Sequence, residues 1–298
     1  MIFSNQEITE EAVASHYDEL DRFYREIWGE HVHHGLWRNG VKTRAEAVRE
    51  MARFVARRAR VGPGNRVCDI GCGYGATARM LVEECGASVT AITISPAQHE
   101  QGRKQAPSGN PAHVLGDWLR NDFAGESFDA AIAIESSEHM PDLGAFFAQA
   151  FRVLRPGGRL AVNAWLACDA PTDFQHDWLL EPICREGRMP IMGTAGEYER
   201  IGQGAGFVLE NFEDVSSEVA RTWREIGRAF AWKLFCHPDY LRFLFDEHAR
   251  NRTFALTAFR LRFAYRFGAM RYGAFVFRKP LRREPETNRA RDRLGEGH

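Results

Sequence analysis

No stretch of this chain reaches the roughly 18 uninterrupted apolar residues of a membrane-spanning helix. Charge of one sign is also lacking. Thirty-nine Lys and Arg face 40 Asp and Glu, a formal net charge of −1, and no global field draws the chain to nucleic acid or an anionic surface. The opening MIFSNQEITEEAV has no basic segment followed by an apolar run, so neither a signal nor a transit peptide is read there and a cytoplasmic location is expected. The six cysteines, Cys68, Cys72, Cys85, Cys168, Cys184 and Cys236, form no close C-x-x-C pair. That argues against a zinc or redox motif and fits a reducing compartment. There is no internal repeat. What remains is a 298-residue chain, 44% hydrophobic, long enough for one large α/β domain with an added cap.

The first helix is expected from about Thr9 to Trp28, where Val13, Tyr17, Leu20, Tyr24 and Ile27 recur at four- and three-residue steps. A loop, GEHVHHGLW, follows. Thr43 with Glu46 three residues on predicts a capping box and a second helix burying Val48, Met51 and Val55. Beyond the turn GPGN, strand and helix alternate: NRVCDI, a glycine turn and TARMLVEEC stopped by Gly86, then ASVTAITI, AHVLGD, SFDAAIAIE, AFFAQAFRVL and RPGGRLAVNAW. Such alternation predicts an α/β fold, a doubly wound sheet with helices on both faces. The pattern lapses from Cys168 to about Gly204 into a polar, Pro-containing segment and a short helix. FVLENFEDVS reads as a strand, residues 221–270 as aromatic helix, and YGAFVFRK as the closing strand. Residues 1–42 are expected to form a helical lid, 43–167 a cofactor-binding core, 168–280 the rest of the sheet with a substrate-binding helical cap, and 281–298 a disordered tail.

The turn Asp69-Ile-Gly71-Cys72-Gly73-Tyr-Gly75 lies where the first sheet strand becomes a helix. Glycines there let the backbone turn sharply and a ligand approach closely, and the helix start offers free N–H groups. Read through Ala76, the run also satisfies the loose G-x-G-x-x-A dinucleotide fingerprint, which keeps a nicotinamide-dependent oxidoreductase in play. Against it, Asp69 suits a cationic amine and not a pyrophosphate. The second strand ends Thr93-Ile94-Ser95, without the acid expected about 20 residues on for a dinucleotide ribose. Gly116-Asp117-Trp118 ends the third strand, where an acid can accept from an adenine amino group and an indole can cover the ring.

VCDIGCGYGATARML, TAITISPAQ, GDW, IESSEHMPD and LRPGGRL, in this order, resemble the successive motifs of class I S-adenosylmethionine-dependent methyltransferases. More narrowly they are similar to the tocopherol C-methyltransferase group, with sterol C- and alkaloid N-methyltransferase relatives. FYREIWGEHVHHGLW and GAMRYGAFVFRKP extend the likeness to nearly the whole chain. The resemblance implies a seven-stranded Rossmann-like sheet with an N-terminal helical lid and a helical insertion before the last strand. It implies S-adenosylmethionine held by Asp69, Gly71, Cys72, Gly73, Gly75, Thr93, Ile94, Gln98, Gly116, Asp117, Trp118 and Glu135, with Thr93 and Gln98 on the ribose.

Methyl transfer from a sulfonium mainly needs positioning, and a base only where the nucleophile must shed a proton. His139, after the fourth strand, is the candidate base, flanked by Glu135 and Glu138. The resemblance adds a first-helix tyrosine, Tyr17 or else Tyr24. Each also has a structural alternative: His139 as a helix cap, Glu135 holding the first helix or the His31–His34 loop, Tyr17 as core. His31, His33 and His34 are too close together to converge on one ion, so no metal is expected. Trp28, His34 and Trp37 are expected to close over cofactor and substrate. Arg260, Arg262, Arg266 and Arg271 can bind an anionic substrate or be solvated. The expected partner is a small, largely apolar methyl acceptor (phenolic, prenylated quinol-like or terpenoid), with a monomer or homodimer, no nucleic acid and no stable membrane insertion. A non-catalytic adenosyl-binding protein stays as the other alternative.

Overall fold

The computed structural model describes residues 1–19, 26, 29–236 and 254–281. Seven strands form one sheet: β2 (Arg66–Ile70), β3 (Ser88–Thr93), β4 (Ala112–Leu115), β5 (Phe128–Ile134), β6 (Leu154–Ala167), β8 (Val208–Asp214) and β9 (Met270–Arg278). Their order is β4-β3-β2-β5-β6-β9-β8. The pairs β4·β3, β3·β2, β2·β5 and β5·β6 run parallel, while β9 lies antiparallel between β6 and β8. The order reverses between β2 and β5, and open α/β sheets bind ligands in the crevice at such a switch.

Strand residues alternate between two cores, as the two-residue period demands. On one side Val67, Ala130, Ile132 and Ile134 meet α2 (Arg44–Arg58) and α3 (Ala76–Cys85) through Met51, Phe54, Val55, Met80 and Leu81. On the other, Cys68, Ala131 and Ala133 meet α5 (Leu143–Val153) and α7 (Ala195–Gly204) through Phe146, Phe147 and Tyr198. The Thr43–Glu46 capping box opens α2, and Gly86, in the left-handed conformation, closes α3. A third cluster builds the cap. Leu180 and Ile183 pack with Trp223 and Ile226 of α8 (Arg221–Cys236) and with Leu261 and Ala264 of α9 (Phe254–Arg266).

Some expectations fall outside the described residues and one is corrected. The first helix, α1, is described over Glu10–Glu19, and its predicted continuation through Leu20, Tyr24, Ile27 and Trp28 lies outside the described residues, as does the tail from residue 282. The segment after Cys168 is helical from Asp173 to Glu186, with a π turn at His176–Leu180 leading into α6 (Glu181–Glu186). Pro182 follows directly on that π turn, so it lies inside a continuous helical run at the point where the regular hydrogen-bond ladder is already interrupted. Finally, β1 (Ile2–Phe3) pairs antiparallel with β7 (Ile191–Met192), tying the chain start to the cap.

Candidate active site

The C-terminal ends of β2, β3, β4 and β5 surround a cleft with about 820 Å³ of atom-free space, part of it open to solvent. The β2 turn forms its floor. The Gly71 and Cys72 amides donate to the Ile92 carbonyl at 2.9 and 3.0 Å, folding the turn against β3. Gly71 has φ +71°, and a Cβ there would stand 2.4 Å from the Ser136 Cβ. At Gly73, φ +55°, a Cβ would meet no atom within 4 Å, so the space beside it is open to a ligand. No side chain caps α3, and its first residues Ala76 and Thr77 line, with Asp69, a hollow that adjoins the cleft across Val32, Gly71, Gly73 and Ile134, leaving its amide donors for an anionic group.

One acid borders this adjoining hollow and another the cleft itself, and each has an oxygen that makes no hydrogen bond among the described residues. Asp69 is 3% exposed and its Oδ2 has no hydrogen-bond partner, so burial pushes its pKa up to about 7. Asp117 accepts from the Leu119 amide at 2.9 Å through Oδ1, while its buried Oδ2 lies 3.8 Å from Arg120 Nε and makes no hydrogen bond among the described residues. An orphaned carboxylate oxygen in a native interior asks for a donor. A ligand bearing an ammonium at one end and an amino-substituted ring at the other would satisfy both. Between them lie Thr93, Ile94, Gln98, Gly116 and Trp118. The Thr93 hydroxyl donates to Gln98 Oε1 at 2.8 Å, so Thr93 holds Gln98 in place and Gln98 presents its amide to the cleft. Trp118 is fixed by its indole N–H on the Phe146 carbonyl, 3.3 Å away. Gly75 lies outside the cleft. It precedes α3, and a Cβ there would strike the His113 ring, so its lack of a side chain serves packing.

Tyr17, Val32, Glu135 and His139 border both this cleft and a second chamber that continues to Glu138, Trp165, Met189 and Trp223. Tyr17 Oη lies 2.9 Å from His139 Nε2, and His139 Nδ1 lies 3.0 Å from the Arg188 carbonyl. A carbonyl only accepts, so Nδ1 carries the proton and the Nε2 lone pair accepts from Tyr17. Burial lowers the His139 pKa despite that carbonyl, and burial together with the charges of Glu135 and Glu138 raises that of Tyr17. The pair therefore holds a neutral imidazole and a protonated phenol.

Glu135 has another part. It takes the left-handed conformation, φ 53°. Its Oε1 accepts from the His34 amide and from Tyr272 Oη, both at 2.7 Å, and its Oε2 accepts from Trp165 Nε1 at 2.7 Å and His34 Nδ1 at 3.0 Å. Burial opposes ionisation, yet the side chain and amide of His34, with nearby His33, hold the carboxyl at about 2. His34 in turn accepts the Trp223 indole N–H at 2.6 Å on Nε2. One carboxylate thus ties the histidine loop to β6, β9 and, through His34, the cap. Glu138 accepts from the Trp165 amide at 2.6 Å and from the Ser137 hydroxyl at 3.0 Å, but burial lifts it to about 8.

The histidine loop is wired to itself and does not converge on a point. His31 Nδ1 is 3.2 Å from His33 Nε2, and His33 Nδ1 donates to the His34 carbonyl at 2.9 Å. Trp37 does not close on the described cavities; its indole donates to Thr222 at 3.0 Å and its ring carries Arg221. The four arginines also stay outside. Arg260 pairs with Glu186, Arg271 lies 3.8 Å from Asp214, and Arg262 and Arg266 are exposed. Sequence reasoning gave no sign of the Arg188 carbonyl, of Trp165 and Met189 in the chamber, or of Val32 between the two spaces.

A family model described as mycolic acid cyclopropane synthetase matches residues 4–248. The chain belongs to that family. It is a class I S-adenosylmethionine-dependent methyltransferase, and the two orphaned carboxylates and the open Gly73 fit that cofactor. It is 28% identical to a chloroplastic tocopherol O-methyltransferase of Arabidopsis thaliana, over 93% of this chain and 84% of that one. It is 29% identical to 27-O-demethylrifamycin SV methyltransferase of Amycolatopsis mediterranei, over 91% and 98%. In fold it matches the mycolic acid cyclopropane synthase CmaA1 complexed with SAH and CTAB, with TM-score 0.79 and 19% identity over 93% and 100% of the chains. The alternative of a nicotinamide oxidoreductase falls with these matches.

Proposed function

We propose that this methyltransferase acts on a hydroxyl of a small lipophilic acceptor of the phenolic or prenylated quinol type. The Tyr17–His139–Arg188 relay carries this reading, because it stands where the cofactor cleft meets the second chamber. S-adenosylmethionine, when bound, supplies an electrophilic methyl on its sulfonium; Asp69, the amides of α3, Gln98 and Asp117 would hold it. Trp165, Trp223 and Met189 offer the acceptor an apolar wall, and Trp165 and Trp223 are themselves pinned through Glu135 and His34. The acceptor hydroxyl gives its proton to Tyr17 Oη as Tyr17 passes its own to His139 Nε2, and the Arg188 carbonyl steadies the imidazolium that forms. Names of relatives support a lipophilic acceptor: one is a 2-methyl-6-phytyl-1,4-hydroquinone methyltransferase, another a sterol 24-C-methyltransferase.

A carbon acceptor that develops positive charge is less well served. Glu138 is neutral near pH 7, and the four donors to Glu135 leave its charge already engaged. The test is product analysis with lipophilic phenols and their methyl ethers. Methylation of the phenols, lost with the ethers and slowed by roughly 10²–10⁴ in His139→Ala, is expected. Equal turnover of both, or an unaffected variant, would refute the hydroxyl assignment.

A further inference from the structure

Helix α9 presents an unusual outer face. Leu261 and Ala264 are fully buried under the cap, while Phe259, Phe263 and Phe267 are 60%, 51% and 59% exposed. Phe259 and Phe263 lie four residues apart on one side of the helix, and Phe267, one residue past its end, continues that side because its amide donates to the Phe263 carbonyl at 2.9 Å; Arg262 and Arg266, both exposed, lie between them. Phe263 and Phe267 stack at 6.1 Å, so the face is a continuous aromatic ridge. Of the six Arg and Lys from Phe254 to Leu281, Arg260, Arg271, Arg278 and Lys279 pair with acids of other elements, which leaves Arg262 and Arg266 as the exposed cations of this face. The ridge is apolar, cationic and on the side of α9 away from the reacting groups.

We infer that this face of α9 docks on the surface of a bilayer containing anionic lipid, with the phenylalanine rings among the acyl ends of the headgroups and Arg262 and Arg266 on phosphates. An interfacial helix needs this combination of an apolar edge and cations. The electrostatic attraction is local, since the whole chain carries a net charge of −1. A second copy of the chain fits less well. Three half-exposed rings offer about 300 Å², well short of the ~800 Å² per partner of a stable interface, and self-pairing would set arginine against arginine. Phe174 and Trp178 are exposed nearby but stand beside Asp173 and Asp177, and they are not part of the proposed face.

The experiment is co-sedimentation of the full chain with sucrose-loaded vesicles of phosphatidylcholine alone or with one-third phosphatidylglycerol, at low and high salt. Binding to the anionic vesicles, weakened by salt, is expected. Arg262→Glu with Arg266→Glu should lower partitioning by about 25-fold or more, about fivefold for each arginine removed. Phe263→Ser with Phe267→Ser should lower it by more than about tenfold. Both variants should keep the melting temperature and S-adenosylhomocysteine affinity of the parent, because no residue changed touches the cleft. Failure of the parent to sediment at low salt would overturn the proposal, as would partitioning of either variant equal to that of the parent. So would a dimer in sedimentation velocity that the phenylalanine changes dissociate, since a second copy would then own the face.

Discussion

Asp69 sets a measurable link between pH and cofactor binding. Its carboxyl is buried with one oxygen unpartnered, and its pKa stands near 7 where an ordinary aspartate titrates near 3.8. An ammonium placed on that oxygen adds a charge-assisted hydrogen bond of roughly 1.5–3 kcal/mol. At about 1.36 kcal/mol per pKa unit, the carboxyl in the complex should fall by about 1–2 units, to between about 5 and 6. Affinity should therefore be highest near pH 7.5 and weaken as pH falls. The total loss should be about 10- to 100-fold, levelling off near pH 5. The ligand's own α-amino group, with a pKa near 8, stays charged through that window. Isothermal titration with S-adenosylhomocysteine at pH 5 to 7.5 reads this directly, and two buffers of different ionisation enthalpy count the proton released at pH 6.5, about one half or more. Asp69→Asn should bind at the weak plateau at every pH. A flat affinity in the parent between pH 5 and 7.5, or an Asn variant that binds as the parent does at pH 7.5, would refute the reasoning.

The same carboxyl has the opposite effect on the unliganded protein. A raised pKa in the folded state means a stability cost that grows as pH rises from about 4 to 7, so Asp69→Asn should raise the melting temperature at pH 8 more than at pH 5. For Glu135 the sign reverses. Its pKa of about 2 lies below the ordinary 4.5, so its contribution is full above about 4.5 and is lost as pH falls towards 2. Glu135→Ala, which strands four buried donors, should cost more than about 3 kcal/mol in chemical denaturation, whereas an effect on turnover alone would assign it to the chemistry. Gly73→Val should abolish cofactor binding in calorimetry; a folded variant with normal affinity would make the glycine turn purely structural. For His139, the parent's kcat/KM should rise with pH through an ionisation below the ordinary imidazole value of 6.5, and Tyr17→Phe should keep that limb only if the acceptor reaches Nε2 unaided.

What the sequence made legible was local. The Thr43–Glu46 box, Gly86 at the end of α3 and the alternating Val67/Cys68 or Ala130/Ala131 pattern all act within a few residues, and each predicts its element. The two candidate cofactor acids were legible for the same reason, because Asp69 stands near the end of β2, two residues before Gly71, and Asp117 follows Gly116 just past β4. What could not be read joins distant positions. Glu135 gathers donors 101, 30 and 137 residues away, and a carboxylate after a strand gives no sign of how many donors will meet it. Ile2–Phe3 is too short for any period to show, yet pairs with residues 191–192.

The separation of roles between neighbouring acids and the histidine also follows from those distant partners. Glu135, Glu138 and His139 lie within five residues, and by type any of them suits a base. Their surroundings divide them. Glu135 is ionised but surrounded by four donors, so its lone pairs are spent on architecture. Glu138 is denied donors enough to offset its burial, and it keeps its proton near pH 7. Only His139 combines a neutral form, a basic nitrogen turned towards a pocket-lining hydroxyl, and a carbonyl behind it that stabilises the charged form when a proton arrives. Because that carbonyl belongs to Arg188, a non-glycine residue held at φ 54°, the tautomer that makes His139 useful depends on a strained turn 49 residues downstream. Relieving the strain with Arg188→Gly should leave the fold intact but free the turn. Turnover should then fall about as far as the imidazole loses its orientation, while cofactor affinity, which depends on Asp69, stays where it was. Unchanged turnover in that variant would mean that His139 needs no carbonyl to hold its tautomer, and the relay would lose its third member.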